Sequence, residues 1–295
     1  MKYHILSWNV LYRKHEEHYN PQSEILKIYP EEENRLDAIV TFIITNVINS
    51  NSITSSLDIS SAPSTIICLQ EVSLTLLKKL RTAFDPVNYT IFAYNLEREE
   101  YLVIIAPIDF QLLYSGKYMS AKACQIITND KIRVVNCHLT PQRFCRIHPV
   151  EVLYALNKDR SIPLAVVGDF NEEYRLLRRQ LGNNSEFILP YFHKTYKNKS
   201  IDQIILSHPD HFLEIKNPQH FPKGYLSDHN MIGLEFTLCA SHVKHLPEHK
   251  TPKEIIQEKI ISDTTESLNN DQVQSDSELP LLFRHKTVAT GDTPV

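Results

Sequence analysis

The sequence predicts an α/β sandwich, in which largely antiparallel β-sheets carry helices on their outer sides. Short runs rich in valine and isoleucine recur as far as residue 236, which is typical of half-buried or fully buried strands. Some runs are close neighbours, as in hairpins, and others are separated by stretches with apolar residues at helical spacing. Helices packed on the outside of paired strands bury both kinds of apolar face.

The strands are predicted directly from the apolar runs. The first run, YHILSW, and the later run LAVVGDF lead straight into polar residues, which suits the end of a strand at a sheet edge. In chain order, the predicted strands cover residues 3–8, 64–69, 89–94, 101–106, 124–128, 132–137, 164–170, 201–206 and 231–236.

The helices have recognisable beginnings. Residues 30–48 start with Pro30 and three glutamates, a favourable helix N-terminus, and continue with apolar residues at helical spacing. A second helix begins at Ser73, whose hydroxyl is suited to capping it. Two shorter helices are predicted at 149–159 and 172–181.

Composition divides the chain at about residue 238. Residues 1–238 contain every predicted strand and are expected to form one domain, in which 50–64 is a polar loop. From Cys239 onward the sequence lacks tyrosine and tryptophan and is rich in Lys, Glu, Asp, Ser and Thr. Such a composition buries too little apolar surface to fold, so 239–295 is expected to be a polar, disordered tail.

Overall composition names no partner. The formal net charge is −4, and the five cysteines form no C-x-x-C pair, which argues against a zinc ribbon or a disulfide framework. The N-terminus opens on a strand and lacks the form of a signal peptide. No apolar run reaches the roughly 18–20 residues that a membrane span requires. We therefore expect a cytoplasmic monomer without a membrane span.

Polar side chains stand at the ends of several predicted strands. Because strand ends on one edge of a sheet converge, these side chains are expected to form one polar cleft. They are Asn9, Glu71 in ICLQEV, His138 in VVNCHLTP, Asp169 and Asn171 in VVGDFN, Asp202 in SIDQII, and Asp228 and His229 in SDHNMI.

This set of side chains suits phosphodiester hydrolysis assisted by a divalent metal. Mg²⁺ prefers oxygen ligands, which Asn9 and Glu71 supply. Hydrolysis also needs a base near the attacking water and an acid or electrophile near the leaving oxygen, and two histidines with carboxylate partners meet that need. Singly, Asn9 could cap a turn and Glu71 could stabilise a helix N-terminus, but such separate explanations would all have to hold at once.

The motifs SWNV, LQEV, NCHLTP, GDFN, IDQI and SDHNMI, in this order, resemble those of the endonuclease/exonuclease/phosphatase superfamily, which has the DNase I-like fold. The resemblance covers residues 3–237. It implies a four-layered sandwich, with two sheets face to face and helices outside, and it makes 1–238 the catalytic domain.

The resemblance also implies roles for the metal-site and water-site residues. Asn9 and Glu71 would be ligands of Mg²⁺ or Mn²⁺, and Asp228 would lie near the metal. Asp169 would orient or deprotonate the attacking water, and Asn171 would bind the phosphate.

Two histidines are assigned in the same way. His229 would contact the scissile phosphate, with Asp202 fixing its ring. His138 matches the histidine of an H-x-x-P segment, and the strand REEYLVII makes Glu99 its expected partner. Which histidine acts as the base stays open.

The expected activity is that of a nuclease on DNA or RNA. A deadenylase-type RNA 3′-exonuclease, an inositol-phosphate or sphingomyelin phosphodiesterase, and a catalytically silent binding scaffold stay open as alternatives. Basic residues flank the motifs and could lie along a polyanion, and Arg143 is placed to reach phosphate. The basic residues are Arg143, Arg146, Arg175, Arg178, Arg179, Lys194, Lys197 and Lys199.

Overall fold

The structure is a computed structural model, and it describes residues 1–52, 63–96, 99–118, 121–141, 148–222 and 224–239. Arg143, Arg146 and the predicted tail beyond residue 239 lie outside these residues, as does most of the predicted loop at 50–64. The division into a domain and a tail therefore stays a prediction. No helix in the described part of the chain is long and apolar enough to cross a membrane.

Two mixed sheets form the centre of the fold. One has the strand order β11-β13-β1-β2-β4-β3, with β12 paired to the other end of β13, and the second has the order β5-β6-β7-β8-β10-β9. Each sheet contains one parallel pair, β1 with β2 and β7 with β8, and its other pairs are antiparallel. The strands are β1 Lys2–Asn9, β2 Ser64–Ser73, β3 Tyr89–Asn95, β4 Glu100–Pro107, β5 Gln111–Gly116, β6 Ala121–Thr128, β7 Arg133–Leu139, β8 Leu164–Asp169, β9 Phe187–Ile188, β10 Asp202–Ser207, β11 Phe212–Ile215, β12 Gln219–Phe221 and β13 Met231–Leu238.

Helices cover the outer face of each sheet. The sheet that contains β1 carries α3 and α4, and the sheet that contains β8 carries α5 and α6. The helices are α1 Arg13–Tyr19, α2 Glu24–Ile28, α3 Glu32–Ser52, α4 Leu74–Ala83, α5 Pro149–Leu156 and α6 Tyr174–Leu181. The predicted cap of α4 is present, because the Ser73 hydroxyl accepts a hydrogen bond from the Leu76 backbone amide.

Alternation along the strands produces three apolar layers. In β1, Tyr3 and Ile5 point between the two sheets, whereas Leu6 and Trp8 point towards α3 and α4. The third layer packs β7 and β8 against α5 and α6. The predicted four-layered sandwich of mostly antiparallel sheets is confirmed.

A buried polar contact joins the two sheets near the strand ends. The Gln70 amide nitrogen donates to the Asn136 side-chain oxygen at 2.8 Å, and the Asn136 amide nitrogen donates to the carbonyls of Leu69 and Val103. Both amides are fully buried. Because a buried amide is costly without partners, this contact fixes how the sheets sit on each other beside the polar cleft.

Candidate active site

The strand ends meet in one cleft, as the sequence predicts. β1 ends at Asn9, β8 ends at Asp169 and β10 begins at Asp202, which pairs with Asp169 across the sheet. His138 of β7 is also in register with Asp169. The cleft has a volume of about 620 Å³ and is lined by polar residues of both sheets and by α1.

Glu71 lies on an irregular stretch of β2. The β2–β4 register shifts between Leu69 and Val72, and Glu71 has a φ of 58°, a conformation that non-glycine residues rarely adopt. Its carboxylate accepts hydrogen bonds from the Asn9 amide and the Tyr12 backbone, each at 3.0 Å. Backbone strain of this kind is often retained at functional sites, and here it accompanies a carboxylate in the cleft.

Asn9 bridges the carboxylates of the two sheets. Its amide nitrogen donates to Glu71 at 3.0 Å and to Asp169 at 3.2 Å, and its oxygen accepts the Leu11 backbone amide at 3.1 Å. In this geometry Asn9 positions Glu71 through its nitrogen. Its predicted role as a metal ligand stays a prediction, and the oxygen, which accepts one hydrogen bond, has a second lone pair that could bind a cation.

His138 lies among three carboxylates. Its Nε2 atom is 3.8 Å from Glu71 and 3.7 Å from Asp169, and its Nδ1 atom is 3.6 Å from Glu100. These contacts are too long for hydrogen bonds, so His138 interacts with the carboxylates electrostatically.

The prediction that Glu99 is the partner of His138 is wrong, because the carboxylate next to His138 is that of the following residue, Glu100. The Glu99 carboxylate is 66% exposed and lies 3.5 Å from Lys14, whereas the buried Glu100 faces His138. Glu100 is the first residue of β4, whereas Glu99 precedes the strand with a φ of 62°, so the two side chains point in different directions. Burial raises the pKa of Glu100, but its contact with His138 and the charge of Lys122 lower it below its usual value.

Two further polar residues join the site without having been predicted. His15 of α1 lies with Nδ1 3.1 Å from Glu71 and Nε2 3.6 Å from Glu100. Lys122 of β6 contacts both oxygens of Glu100, at 2.7 and 2.9 Å. The only signal for His15 is its place in a polar run shortly after Asn9, and Lys122 has no motif of its own.

These contacts decide the charge of Glu71. Burial raises its pKa, but the hydrogen bond with His15 and the charges of His138 and Lys122 outweigh burial and hold the pKa well below its usual range. The hydrogen bond to Glu71 in turn raises the pKa of His15, against the effect of its own burial. Glu71 is therefore ionised at neutral pH and directed at the cleft.

His229 and Asp202 form a buried pair at the other side of the cleft. The Nδ1 atom of His229 is 2.9 and 3.1 Å from the two carboxylate oxygens of Asp202, which leaves Nε2 directed towards Asp169 and Asp228, at 4.0 and 3.9 Å. The Tyr196 ring lies 4.6 Å from the imidazole. Burial lowers the pKa of His229, but the charge and hydrogen bond of Asp202 raise it well above its usual value.

Asp169 and Asn171 follow directly after β8. One Asp169 oxygen accepts the Asn171 backbone amide at 2.8 Å, and the Asn171 side chain donates to the Leu139 carbonyl at 2.9 Å. Burial and the neighbouring charge of Asp202 raise the pKa of Asp169. A carboxyl group with a raised pKa beside a cleft is suited to accept a proton.

The remaining predicted residues divide into two groups. Asp228 lines the cleft, as do Lys197 and Lys199 of the predicted basic set. Lys194 is exposed, and so are the three arginines of α6, Arg175, Arg178 and Arg179.

The fold of this chain is shared with solved structures. An endonuclease/exonuclease/phosphatase family protein from Bacteroides thetaiotaomicron superposes with a TM-score of 0.55 at 14% identity, covering 84% of this chain and 99% of that one. The chain has the endonuclease/exonuclease/phosphatase fold. The resemblance seen in the six motifs is thus confirmed at the level of the fold.

Two further structures with this fold carry ligands. The human Nocturnin catalytic domain with a bound sulfate has a TM-score of 0.52 at 19% identity, covering 81% of this chain and 94% of that one. TDP2 of D. rerio with a single-strand DNA product has a TM-score of 0.52 at 15% identity, covering 80% and 99%. No family model matches the sequence, and no curated protein sequence is significantly similar to it.

Buried contacts hold the loops of this endonuclease/exonuclease/phosphatase fold around the cleft. Ser227 donates to the Asn9 carbonyl at 2.7 Å and accepts the His229 amide at 3.1 Å, so one hydroxyl links the end of β1 to the loop before β13. The buried Arg35 guanidinium donates to the carbonyls of Leu11 and Leu226, in the loops that follow β1 and precede β13. These loops are therefore fixed relative to each other.

The residues present fit a divalent cation. Glu71, Glu100 and His138 each offer a ligand atom within 4.8 Å of the others, and so do Asp169, Asp202 and His229. Hydrogen bonding already engages Asp202 with His229, and Lys122 neutralises Glu100. Glu71, which is ionised and lines the cleft, is consequently the carboxylate best placed to bind a hard ion.

Proposed function

We propose that this protein is a divalent-metal-dependent phosphodiester hydrolase that acts on nucleic acid. The observation that carries the proposal is the convergence in one cleft of an ionised Glu71, an Asp169 whose pKa is raised, and an Asp202–His229 pair. Metal ligand, proton acceptor and phosphate-binding cation are the three groups that such hydrolysis requires.

The metal would be held by Glu71, with Asp228 and Asn9 beside it. A bound Mg²⁺ or Mn²⁺ supplies positive charge that neutralises the phosphate and polarises its oxygens. The chain provides the rest of the arrangement, since His15 and the Tyr12 backbone amide hold the Glu71 carboxylate in place.

His229 would act as a cation towards the scissile phosphate. Asp202 fixes the ring through Nδ1, so Nε2 is the nitrogen presented to the substrate. The raised pKa keeps the imidazole protonated at neutral pH, and a protonated nitrogen donates a short, strong hydrogen bond to a phosphate oxygen.

Asp169 would orient and deprotonate the attacking water. Its carboxylate is fixed by the Asn171 backbone amide and the Asn9 side chain. Asn171 would bind the phosphate. The His138 Nε2 atom lies 3.7 Å from the Asp169 carboxylate, so His138 could donate a proton to, or accept one from, a group bound next to Asp169.

A polymeric substrate is favoured by the cations at the cleft. Lys197 and Lys199 line it, and Lys197 also lies 4.9 Å over the Tyr196 ring. A nucleic acid presents phosphates to such residues along its length, together with bases that stack on aromatic rings. The single-strand DNA product bound by a protein of the same fold supports this choice.

The test is hydrolysis of a panel of substrates with Mg²⁺ or Mn²⁺. The panel contains single- and double-stranded DNA, poly(A) RNA, a soluble inositol phosphate and sphingomyelin. We expect turnover of nucleic acid, loss of turnover in EDTA, and loss of most turnover in Glu71→Gln, which removes charge with little change of shape. The matched control is Glu214→Gln, an exposed glutamate of β11.

The outcomes separate the alternatives. Turnover confined to the inositol phosphate or to sphingomyelin would overturn the nucleic-acid substrate and keep the metal chemistry. Full activity in EDTA, or in Glu71→Gln, would overturn the metal site. Absence of turnover on every substrate with either metal would leave the binding scaffold as the better description.

A further inference from the structure

A group of aromatic rings lies on the surface beside the cleft, at the beginning of α6. The Tyr191 side chain is 47% exposed, and its ring is 4.8 Å from the ring of Tyr174 and 6.0 Å from that of His193. Its hydroxyl lies 3.1 Å from His193 Nδ1, which holds the two side chains together. We call Tyr174, Tyr191 and His193 the aromatic shelf.

Backbone hydrogen bonds connect the aromatic shelf to the segment that lines the cleft. The Tyr174 amide donates to the Ser200 carbonyl at 2.9 Å, and the Lys194 amide donates to the Ser200 hydroxyl at 3.1 Å. The residues on either side of Ser200, Lys199 and Ile201, line the cleft. From Tyr191 to Tyr196, which contacts His229, an extended chain spans at most about 18 Å.

Positive charge accompanies the shelf. Helix α6 buries Leu177 and Leu181, so Tyr174 and Arg178, four residues apart, are neighbours on the flank of the helix. Arg178 and Lys194 are both exposed. The Glu173 carboxylate is also near the start of α6, and it accepts a hydrogen bond from the Ser200 amide.

We propose that the aromatic shelf binds the bases of a single-stranded nucleic acid several nucleotides away from the scissile phosphate. The inference rests on the proposed function, because the cleft fixes where the strand is cut. Exposed rings attract base faces, which a single strand offers and a duplex keeps stacked, and Arg178 and Lys194 are placed to contact the phosphates between them. Each strand of a duplex advances about 3.4 Å along the helix axis per phosphate and an unstacked single strand advances further, so a distance of at most about 18 Å corresponds to at most about five nucleotides.

The test is equilibrium binding of fluorescent oligonucleotides in EDTA, where hydrolysis does not interfere. Single strands of 3 and 12 nucleotides are compared on the unmodified protein and on Tyr191→Ala. Loss of one stacking ring is expected to weaken binding of the 12-mer about 5- to 150-fold and to leave binding of the 3-mer within about twofold. The control is Tyr154→Ala, which removes a tyrosine of α5 that is 41% exposed.

Arg178→Gln provides a second, electrostatic measurement. It should weaken binding of the 12-mer and reduce the slope of log affinity against log salt by about 0.7, the value for one phosphate contact of a single strand. Both variants change exposed side chains, and their thermal unfolding should match that of the unmodified protein.

The results separate failure of the shelf from failure of the proposed function. Equal weakening of the 3-mer and the 12-mer by Tyr191→Ala, or unchanged binding of both, would overturn the shelf alone. Tighter binding of a 12-base-pair duplex than of the 12-mer would also overturn it. If the unmodified protein binds none of the oligonucleotides, the nucleic-acid substrate fails, and the shelf fails with it.

Discussion

His229 shows how single residues set the chemistry of this site. Burial alone would make its imidazole neutral, yet Asp202, Asp169 and Asp228 together raise its pKa well above the usual value. Glu71 shows the reverse, because its partners His15, His138 and Lys122 keep a buried carboxylate ionised. The charge of each group is thus decided by its neighbours.

The first prediction concerns the Asp202–His229 pair. Asp202→Asn removes the main charge that raises the pKa of His229, so we expect that pKa to fall, as measured from the ring resonances of His229 in a pH titration without metal. A raised pKa of His229 in the folded state adds stability that is fully present below about pH 6.5 and is lost as the pH rises towards the folded-state pKa of about 10. The variant should therefore lose stability mainly at acidic and neutral pH. Hydrolysis should fall about 10²- to 10⁴-fold.

The exposed His220 serves as the internal control for this titration. Its resonance should be unchanged by Asp202→Asn. An unchanged His229 pKa in the variant would show that Asp202 does not determine the charge of the imidazole.

The second prediction distinguishes two adjacent glutamates. Glu100→Gln removes the carboxylate that faces His138 and Lys122 and should lower hydrolysis about tenfold or more, whereas Glu99→Gln alters an exposed side chain and should leave it unchanged. The measurement is kcat/KM of both variants on one substrate. The opposite order of effects would restore Glu99 as the partner of His138.

Among the elements, β8 shows most clearly how the strands are adapted to the site. Gly168 precedes Asp169 with a φ of 138°, and a Cβ atom there would lie 1.9 Å from the Cys137 carbonyl oxygen. The glycine of GDFN therefore allows β7 and β8 to approach closely, which brings His138 next to Asp169. The irregular stretch of β2 at Glu71 is a comparable local adaptation.

The third prediction tests this close approach. Gly168→Ala combines a strained backbone with a clash against the Cys137 carbonyl and should destabilise the protein by about 3 kcal/mol or more in urea unfolding. Gly182→Ala, at a φ of 60° with open space around it, should cost only about 1–2 kcal/mol. Equal losses in the two variants would show that β7 and β8 can separate without cost.

For the whole molecule, the site depends on the packing of two sheets. Asn9, Glu71, Glu100 and His229 come from one sheet and its loops, and His138, Asp169 and Asp202 come from the other. The Gln70–Asn136 contact, the Asn9–Asp169 hydrogen bond and the His229–Asp202 pair join the two sides. Loosening this packing should therefore impair the site before it unfolds either sheet.

The fourth prediction concerns the boundary of the domain. β13 runs to Leu238, and the Cys239 amide donates to the His211 carbonyl, so a chain of residues 1–239 retains every described strand. We expect this chain to unfold cooperatively at the same urea midpoint and to hydrolyse substrate at the same rate as the full chain, because the polar composition after residue 239 offers little apolar surface for packing.

A chain ending at residue 230 is the matched comparison. It lacks β13, which pairs with β1 and β11, and it should not fold. If the chain of residues 1–239 also fails to unfold cooperatively, then the domain extends beyond the predicted boundary.

The sequence by itself determined the layers and most of the cleft. The apolar runs of β1, β8 and β13 predicted the strands, and polar residues at the ends of such runs were expected to converge at a sheet edge, as Asn9, Asp169 and His229 do. Short or polar elements escaped prediction, including α1 and β12, because their apolar content is too low to show a period.

Tertiary structure alone decided the partners within the cleft. Which of two adjacent glutamates faces His138 depends on where β4 begins and on the positive φ of Glu99, and neither can be read from the two letters EE. His15 and Lys122 reach Glu71 and Glu100 from elements distant in sequence, and no local pattern encodes such a contact. The charges of Glu71 and His229 likewise depend on burial and on neighbours that only the packed sheets bring within a few ångströms, because electrostatic interactions depend on distance in space and not on separation along the chain.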